Sequence, residues 1–152
     1  MNQDEIKKSI EQLFTHMDCT ISSLEFSNEN GMLWCMISTP DSRFIIGREG
    51  ETLRSFNHLV RKMIEKTSTE EESAKICIDV NGYQKKRFDS LKATAHMLAE
   101  RARYFKSNIE TDPMPAYERR IIHLFLEDAH DIKTESEGEG ANRRVVIKYI
   151  QE

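Results

Sequence analysis

Phe44-Ile45-Ile46-Gly47-Arg48-Glu49-Gly50-Glu51 decides how the first half of the chain folds. A short apolar run enters it, and a helix-patterned segment from Glu51 to Lys66 leaves it. Two glycines that close together permit a sharp turn and let a phosphate approach main-chain N–H groups with no Cβ in the way. The pattern alone says little, because chance supplies it in roughly one chain in four of this length and glycine content. Its flanks have to carry the reading.

Upstream, Ile6, Ile10, Leu13, Phe14 and Met17 recur at helical spacing and predict an amphipathic helix from about Asp4 to Met17. Two strand-like runs follow, Thr20–Phe26 and Met32–Ser38, separated by Asn28-Glu29-Asn30-Gly31. Asn-Gly between such runs is a hairpin signal, since both residues tolerate positive φ. Ser22-Ser23 breaks the alternation of the first run and suggests a bulge. Pro40 ends the second run, with Asp41 or Ser42 placed to cap a short helix into the glycine loop. Downstream, Leu53, Phe56, Leu59, Val60, Met63 and Ile64 form one apolar helical stripe. Thr67–Ser73 reads as a loop, and Ile76, Ile78 and Val80 alternate as a third strand. The order helix–strand–strand–helix–Gly-x-x-Gly–helix–strand is similar to the type II KH module, whose loop clamps the backbone of about four nucleotides.

Asn81-Gly82 marks the expected boundary between a domain at 1–81 and another at 82–152. In the second, Phe88, Leu91, Ala95, Leu98, Ala102 and Phe105 recur at intervals of three and four. A narrow seam of this kind fits a coiled coil or, more plainly, one helix packed on a small sheet. An extended piece, Asn108–Thr111, precedes Pro115, which suits a first helical position for Ala116–Asp128. Asp131–Glu137, a turn at Gly138-Glu139-Gly140 and a strand at Arg143–Ile150 then make an antiparallel hairpin.

The totals narrow the class. Hydrophobic residues make up 38% and charged ones 32%, a globular balance. The polar, acidic start is unlike a secretory signal, and no apolar run nears the roughly 20 residues that span a bilayer. Three scattered cysteines without a Cys-x-x-Cys pair point to a reducing cytoplasm and away from a structural zinc site. A net charge of −4 argues against coating nucleic acid by bulk electrostatics. The basic residues are nevertheless gathered. Seven lie between Tyr83 and Lys106 against two acidic ones, and Arg43, Arg48, Arg54, Arg61 and Lys62 surround the glycine loop. Such runs are either solvated helix faces or the footprint of a nucleic-acid site.

Arg119 and His123 stand at i and i+4 on the helix after Pro115 and so share a face. Arg119 can grip a phosphate bidentately, and His123 can donate to one or stack on a base. Spacing alone does not single them out, since Arg54 and His58 repeat it. The surrounding run does. Pro115-Ala116-Tyr117-Glu118-Arg119-Arg120-Ile121-Ile122-His123, followed by Glu135–Val146, resembles the bacterial Jag family, also called KhpB, the SpoIIIJ-associated proteins.

That resemblance implies an α+β architecture: a type II KH domain (α-β-β-α-α-β), then a small α/β Arg-x-x-x-His domain with a three-stranded, mainly antiparallel sheet. It implies RNA binding in the bacterial cytoplasm and post-transcriptional regulation linked to cell envelope, elongation or sporulation. The implied contacts are Ile46, Gly47, Arg48, Glu49 and Gly50 in the first domain, and Arg119, Arg120, His123, Arg143 and Arg144 in the second. Single-stranded RNA is the expected partner, with single-stranded DNA, a KH-domain protein or a second copy as others. No cofactor, catalysis or direct membrane insertion is expected. The family usually begins with a further N-terminal domain and linker, and neither is expected in these residues. Glu49 puts a negative charge in a loop whose variable positions are commonly basic.

Two other classes compete. Carboxylates near His123 (Glu127, Asp128, Glu135, Glu137, Glu139), with His130, raise a metal-dependent ribonuclease. A strand edge or the Tyr83–Lys106 seam raises a protein-interaction or dimerisation module.

Overall fold

A computed structural model describes residues 2–29 and 31–151. The chain is a mixed α+β protein with two three-stranded sheets, one in each of two compact units, 1–85 and 86–152. The expected hairpin turn falls partly on Asn30, outside the described residues.

In the first unit, α1 (Gln3–His16) starts where the Asn2 side chain accepts the Asp4 N–H, and it buries Ile6, Ile10 and Phe14. Strands β1 (Ser23–Glu29) and β2 (Met32–Ser38) pair antiparallel, and β2 pairs parallel with β3 (Ile76–Val80). The first strand starts three residues later than expected; its register runs unbroken from Ser23↔Ser38 to Glu29↔Met32, and at the expected bulge the Ser22 N–H also meets the Ser38 carbonyl (2.8 Å). Thr20 is withheld from the ladder. Its N–H goes to the Asp41 carboxylate (2.9 Å) and its carbonyl to the Thr39 hydroxyl (2.6 Å). Asp41 therefore precedes α2 (Ser42–Ile46) without a side-chain cap bond.

Helix α3 (Glu51–Ile64) lays Leu53, Phe56, Val60 and Ile64 on the core, with Phe14 and Phe56 meeting edge to face. It also closes the sheet. Asn57 is buried and hydrogen-bonds both the N–H and the carbonyl of Ile78, while Arg61 donates twice to the Ile76 carbonyl. These side chains stand where a fourth strand would pair, so the β3 edge is no docking edge. The segment Thr67–Ser73, expected as loop, contains α4 (Glu70–Ser73), opened by a capping box between Thr69 and Glu72.

Helix α5 (Tyr83–Phe105) follows, and the division between units falls within its first turn. In the second unit, β4 (Ile109–Glu110), β5 (Ile132–Glu137) and β6 (Arg144–Tyr149) form an antiparallel sheet in the order β4-β6-β5. Helix α6 (Ala116–Leu126) packs on β5 and β6, burying Ile121, Ile122 and Leu126. Pro115 sits one position before the expected one. It is the N-cap, extended at φ −60° and ψ 157°, and its carbonyl accepts the Arg119 N–H. Consecutive Val145, Val146 and Ile147 are all buried, so both faces of β6 are covered. The seam along α5 is buried through Ala102 but not to its end: Phe105, expected in it, is 65% exposed.

Candidate nucleic-acid interface

The glycine loop is a turn that only glycine can make at two positions. Gly47 ends α2 at φ +72° and Gly50 precedes α3 at φ +76°. A Cβ on Gly47 would lie 2.7 Å from the Cβ of Thr52, and one on Gly50 would lie 2.8 Å from the Tyr83 ring. Between them, Glu49 is itself left-handed at φ 54°, which costs a non-glycine residue roughly 1 kcal/mol. The strain holds Arg48 and Glu49 out as an exposed tip while Gly50 is buried beneath. Ile46, half-buried, packs on the core at the loop's entrance. Glycine offers α3 no side-chain cap; the Glu51 N–H returns to the Arg48 carbonyl, and the positive end of the helix dipole lies at the loop.

The basic residues around the loop separate into two kinds. Arg61 serves the β3 edge, Lys62 pairs with Glu65 at 2.8 Å, and Arg54 reaches the Glu49 carbonyl at 3.4 Å. Arg43 and Arg48 remain exposed. The Arg54/His58 pair thus has one member already bonded to the loop backbone.

In the second unit the structure brings Arg119, Arg120 and His123 together on α6 and sets His123 against β5. Its Nδ1 lies 2.6 Å from Thr134 Oγ1 and its Nε2 lies 2.9 Å from Ser136 Oγ. Both ring nitrogens are therefore taken, one donating and the other accepting. Burial, reinforced by the Arg119 charge, holds the imidazole below its ordinary pKa of 6.5. Arg119 Nε is buried and, among the described residues, has no hydrogen-bond partner. An unmet buried donor costs about 1–3 kcal/mol and is relieved by any acceptor oxygen that reaches it.

The two remaining arginines are occupied. Arg143 braces the hairpin through the Gly138 carbonyl (2.8 Å), and Arg144 forks onto Glu110 (2.9 and 3.2 Å). A further feature that residue spacing did not signal is a cleft of about 400 Å³ whose lining includes Arg120, His123, Leu124, Glu127, Lys133 and Thr134. Also unforeseen is Glu118, 1% exposed, held bidentately by Arg87 at 2.9 and 3.2 Å with the Tyr117 hydroxyl beside it. A glutamate in the first turn of an apolar helix carries no signal of burial. Only the arrival of Arg87 from α5 explains it.

The carboxylates around His123 are partly committed to lysines. Glu135 is paired with Lys148 (2.6 Å) and Lys133 (3.2 Å), and Glu137 faces Lys148. Among the described residues, no three of His, Cys, Asp and Glu converge as metal ligands, and no helix is long and apolar enough to cross a membrane.

Residues 89–149 match the R-three-H domain family. Over 151 residues, 99% of its length, the chain is 30% identical to the RNA-binding protein KhpB of Clostridium symbiosum, of which it covers 67%. It is 33% identical over 115 residues to the RNA-binding protein KhpB of Bacillus subtilis, with 74% of this chain and 54% of that one aligned. Against the protein of the same name from Lactiplantibacillus plantarum the figures are 27% over 124 residues, 82% and 37%. The chain thus spans between about a third and two thirds of the length of these relatives.

Proposed function

This chain belongs to the KhpB family, and from that premise we propose that it binds single-stranded or looped RNA in the bacterial cytoplasm, through two sites and without catalysis. The first unit acts as a type II KH domain: Gly47–Gly50 clamps backbone phosphates, and bases lie in the groove beginning at Ile46. The observation that carries this is the loop itself, two positive-φ glycines between helices with Arg43 and Arg48 exposed near a helix start that has no side-chain cap. The element order of the unit, α-β-β-α-α-β with the added α4, supports the same reading.

The second unit, whose residues match the R-three-H family, supplies the second contact through Arg119, Arg120 and His123, with Arg143 and Arg144 joining as their internal bonds give way. Two modest sites on one chain gain by effective concentration, which suits a protein of net charge −4. The regulatory role, post-transcriptional control linked to envelope, elongation or sporulation, rests on family membership alone.

The test is titration of the chain with single-stranded RNA at several salt concentrations. Phosphate contacts give a log–log slope of about −0.7 for each phosphate neutralised. Arg48→Glu is the informative variant, because its side chain is exposed and the substitution leaves the turn intact. Affinity should fall roughly tenfold at low salt with an unchanged melting temperature. Salt-indifferent binding, or full affinity in that variant, would remove the loop from the reading.

A further inference from the structure

We propose that the C-terminal end of α5 is a base-stacking platform for single-stranded nucleic acid, built from Tyr104 and Phe105 and flanked by Arg101 and Lys106. The inference rests on the RNA-binding reading above and adds a contact that lies outside both the glycine loop and the Arg119–His123 face.

Tyr104 is 82% exposed and Phe105 65%. Their rings meet edge to face with centroids 5.0 Å apart, so they present one joined aromatic surface rather than two wandering side chains. Arg101 lies three and four residues before them, on the same helical face, and Met97, 49% exposed, continues that face a turn earlier. Phe105 also continues the spacing of the buried seam, yet it is held out of the core. Large apolar side chains left out in this way cost solvation unless something covers them.

The charge around the pair favours an anionic occupant. Arg103 is bound to Asp131 (2.7 Å) and Glu100 (2.6 Å), so both of those carboxylates are paired. Among the described residues, neither Arg101 nor Lys106 has such a partner. Lys106 stands where helices usually place glycine. It is left-handed at φ 49°, and the following Ser107 N–H returns to the Ala102 carbonyl. A lysine kept in that conformation puts an exposed cationic residue directly after the aromatic pair in the chain, at the expense of backbone ease. Aromatic faces with flanking cations are how proteins hold single strands without reading sequence, the bases stacking and the cations tracking phosphates.

The experiment uses the full chain and a labelled single-stranded RNA of about twelve nucleotides. Tyr104→Ala should weaken binding roughly tenfold, and Tyr104→Trp should retain it, since stacking needs only an aromatic face. Lys106→Gly should weaken binding while the melting temperature holds or rises. Inorganic polyphosphate, which has no bases, should feel Lys106→Gly but not Tyr104→Ala. If Tyr104→Ala binds as the parent does while Arg48→Glu does not, the platform fails and the loop stands. Loss in Tyr104→Ala with Arg48→Glu unaffected upholds the platform and removes the loop. A parent chain that binds no RNA overturns both. A Tyr104→Ala change in self-association with RNA affinity intact marks the patch as a protein interface and overturns the proposal.

Discussion

The glycine loop and the Arg119–His123 face contrast in what their polar groups are doing before any ligand arrives. At the loop, Arg43 on α2 and Arg48 in the turn are exposed, and the shape of that turn is already set by Gly47 and Gly50. On the second face, His123 is held by Thr134 and Ser136, Arg143 by Gly138 and Arg144 by Glu110; Arg119 Nε is a buried donor without a partner among the described residues, and Arg120 is exposed. The first surface is preorganised. At His123, Arg143 and Arg144 the second has to exchange internal hydrogen bonds for external ones, which lowers the net gain from those contacts. Identical residue types therefore promise different energies in the two places.

The strongest way to break this comparison is to spoil the preorganisation. Gly50→Asp puts a Cβ against Tyr83 at positive φ and should destabilise the first unit by about 2–4 kcal/mol, read as a drop in its unfolding midpoint. A variant as stable as the parent would mean that the loop is not the tight turn described. Loss of RNA binding in that variant would reflect folding, which is why Arg48→Glu is the cleaner probe of contact.

The pH response of the second unit comes next. The folded imidazole of His123 lies below its ordinary 6.5, so the unfolded chain takes up the proton first. The stabilising effect of keeping it neutral is complete above that value and is lost as the pH falls through it toward the lower folded pKa. Melting temperatures measured between about pH 7.5 and about pH 5 should fall more steeply for the parent than for His123→Gln. Parallel slopes would contradict the enclosed, neutral histidine.

Releasing an occupied group should sharpen the contrast in the other direction. Glu110→Ala frees the Arg144 fork, and RNA affinity should rise a few-fold at low salt. No change would mean that Arg144 makes no phosphate contact at all. The smallest effect is expected at the loop tip, where Glu49→Gln removes an exposed negative charge and should raise affinity by about twofold at low salt, vanishing as salt is added.

Much of the architecture was legible because hydrophobic period and turn chemistry are local. The α1 and α3 stripes, the β2 and β3 runs and the closing hairpin follow from residue spacing. One miss was legible too: Thr69-x-x-Glu72 is a capping-box signature, and it opens α4 where a loop was expected. The displaced start of β1 was not, because what withholds Thr20 is a carboxylate 21 residues away.

For the candidate sites, residue order is enough to say which types stand where: glycines for a turn no other residue makes, and an arginine and a histidine one helical turn apart. Which of the many cations are spoken for emerges only on folding. Of the seven between Tyr83 and Lys106, Arg87 is taken by buried Glu118, Arg103 by Asp131 and Lys85 by Glu29. Arg61, near the loop in sequence, closes a sheet edge instead. A charge is available for binding only if no partner reaches it first, and those partners come from distant segments that folding brings near.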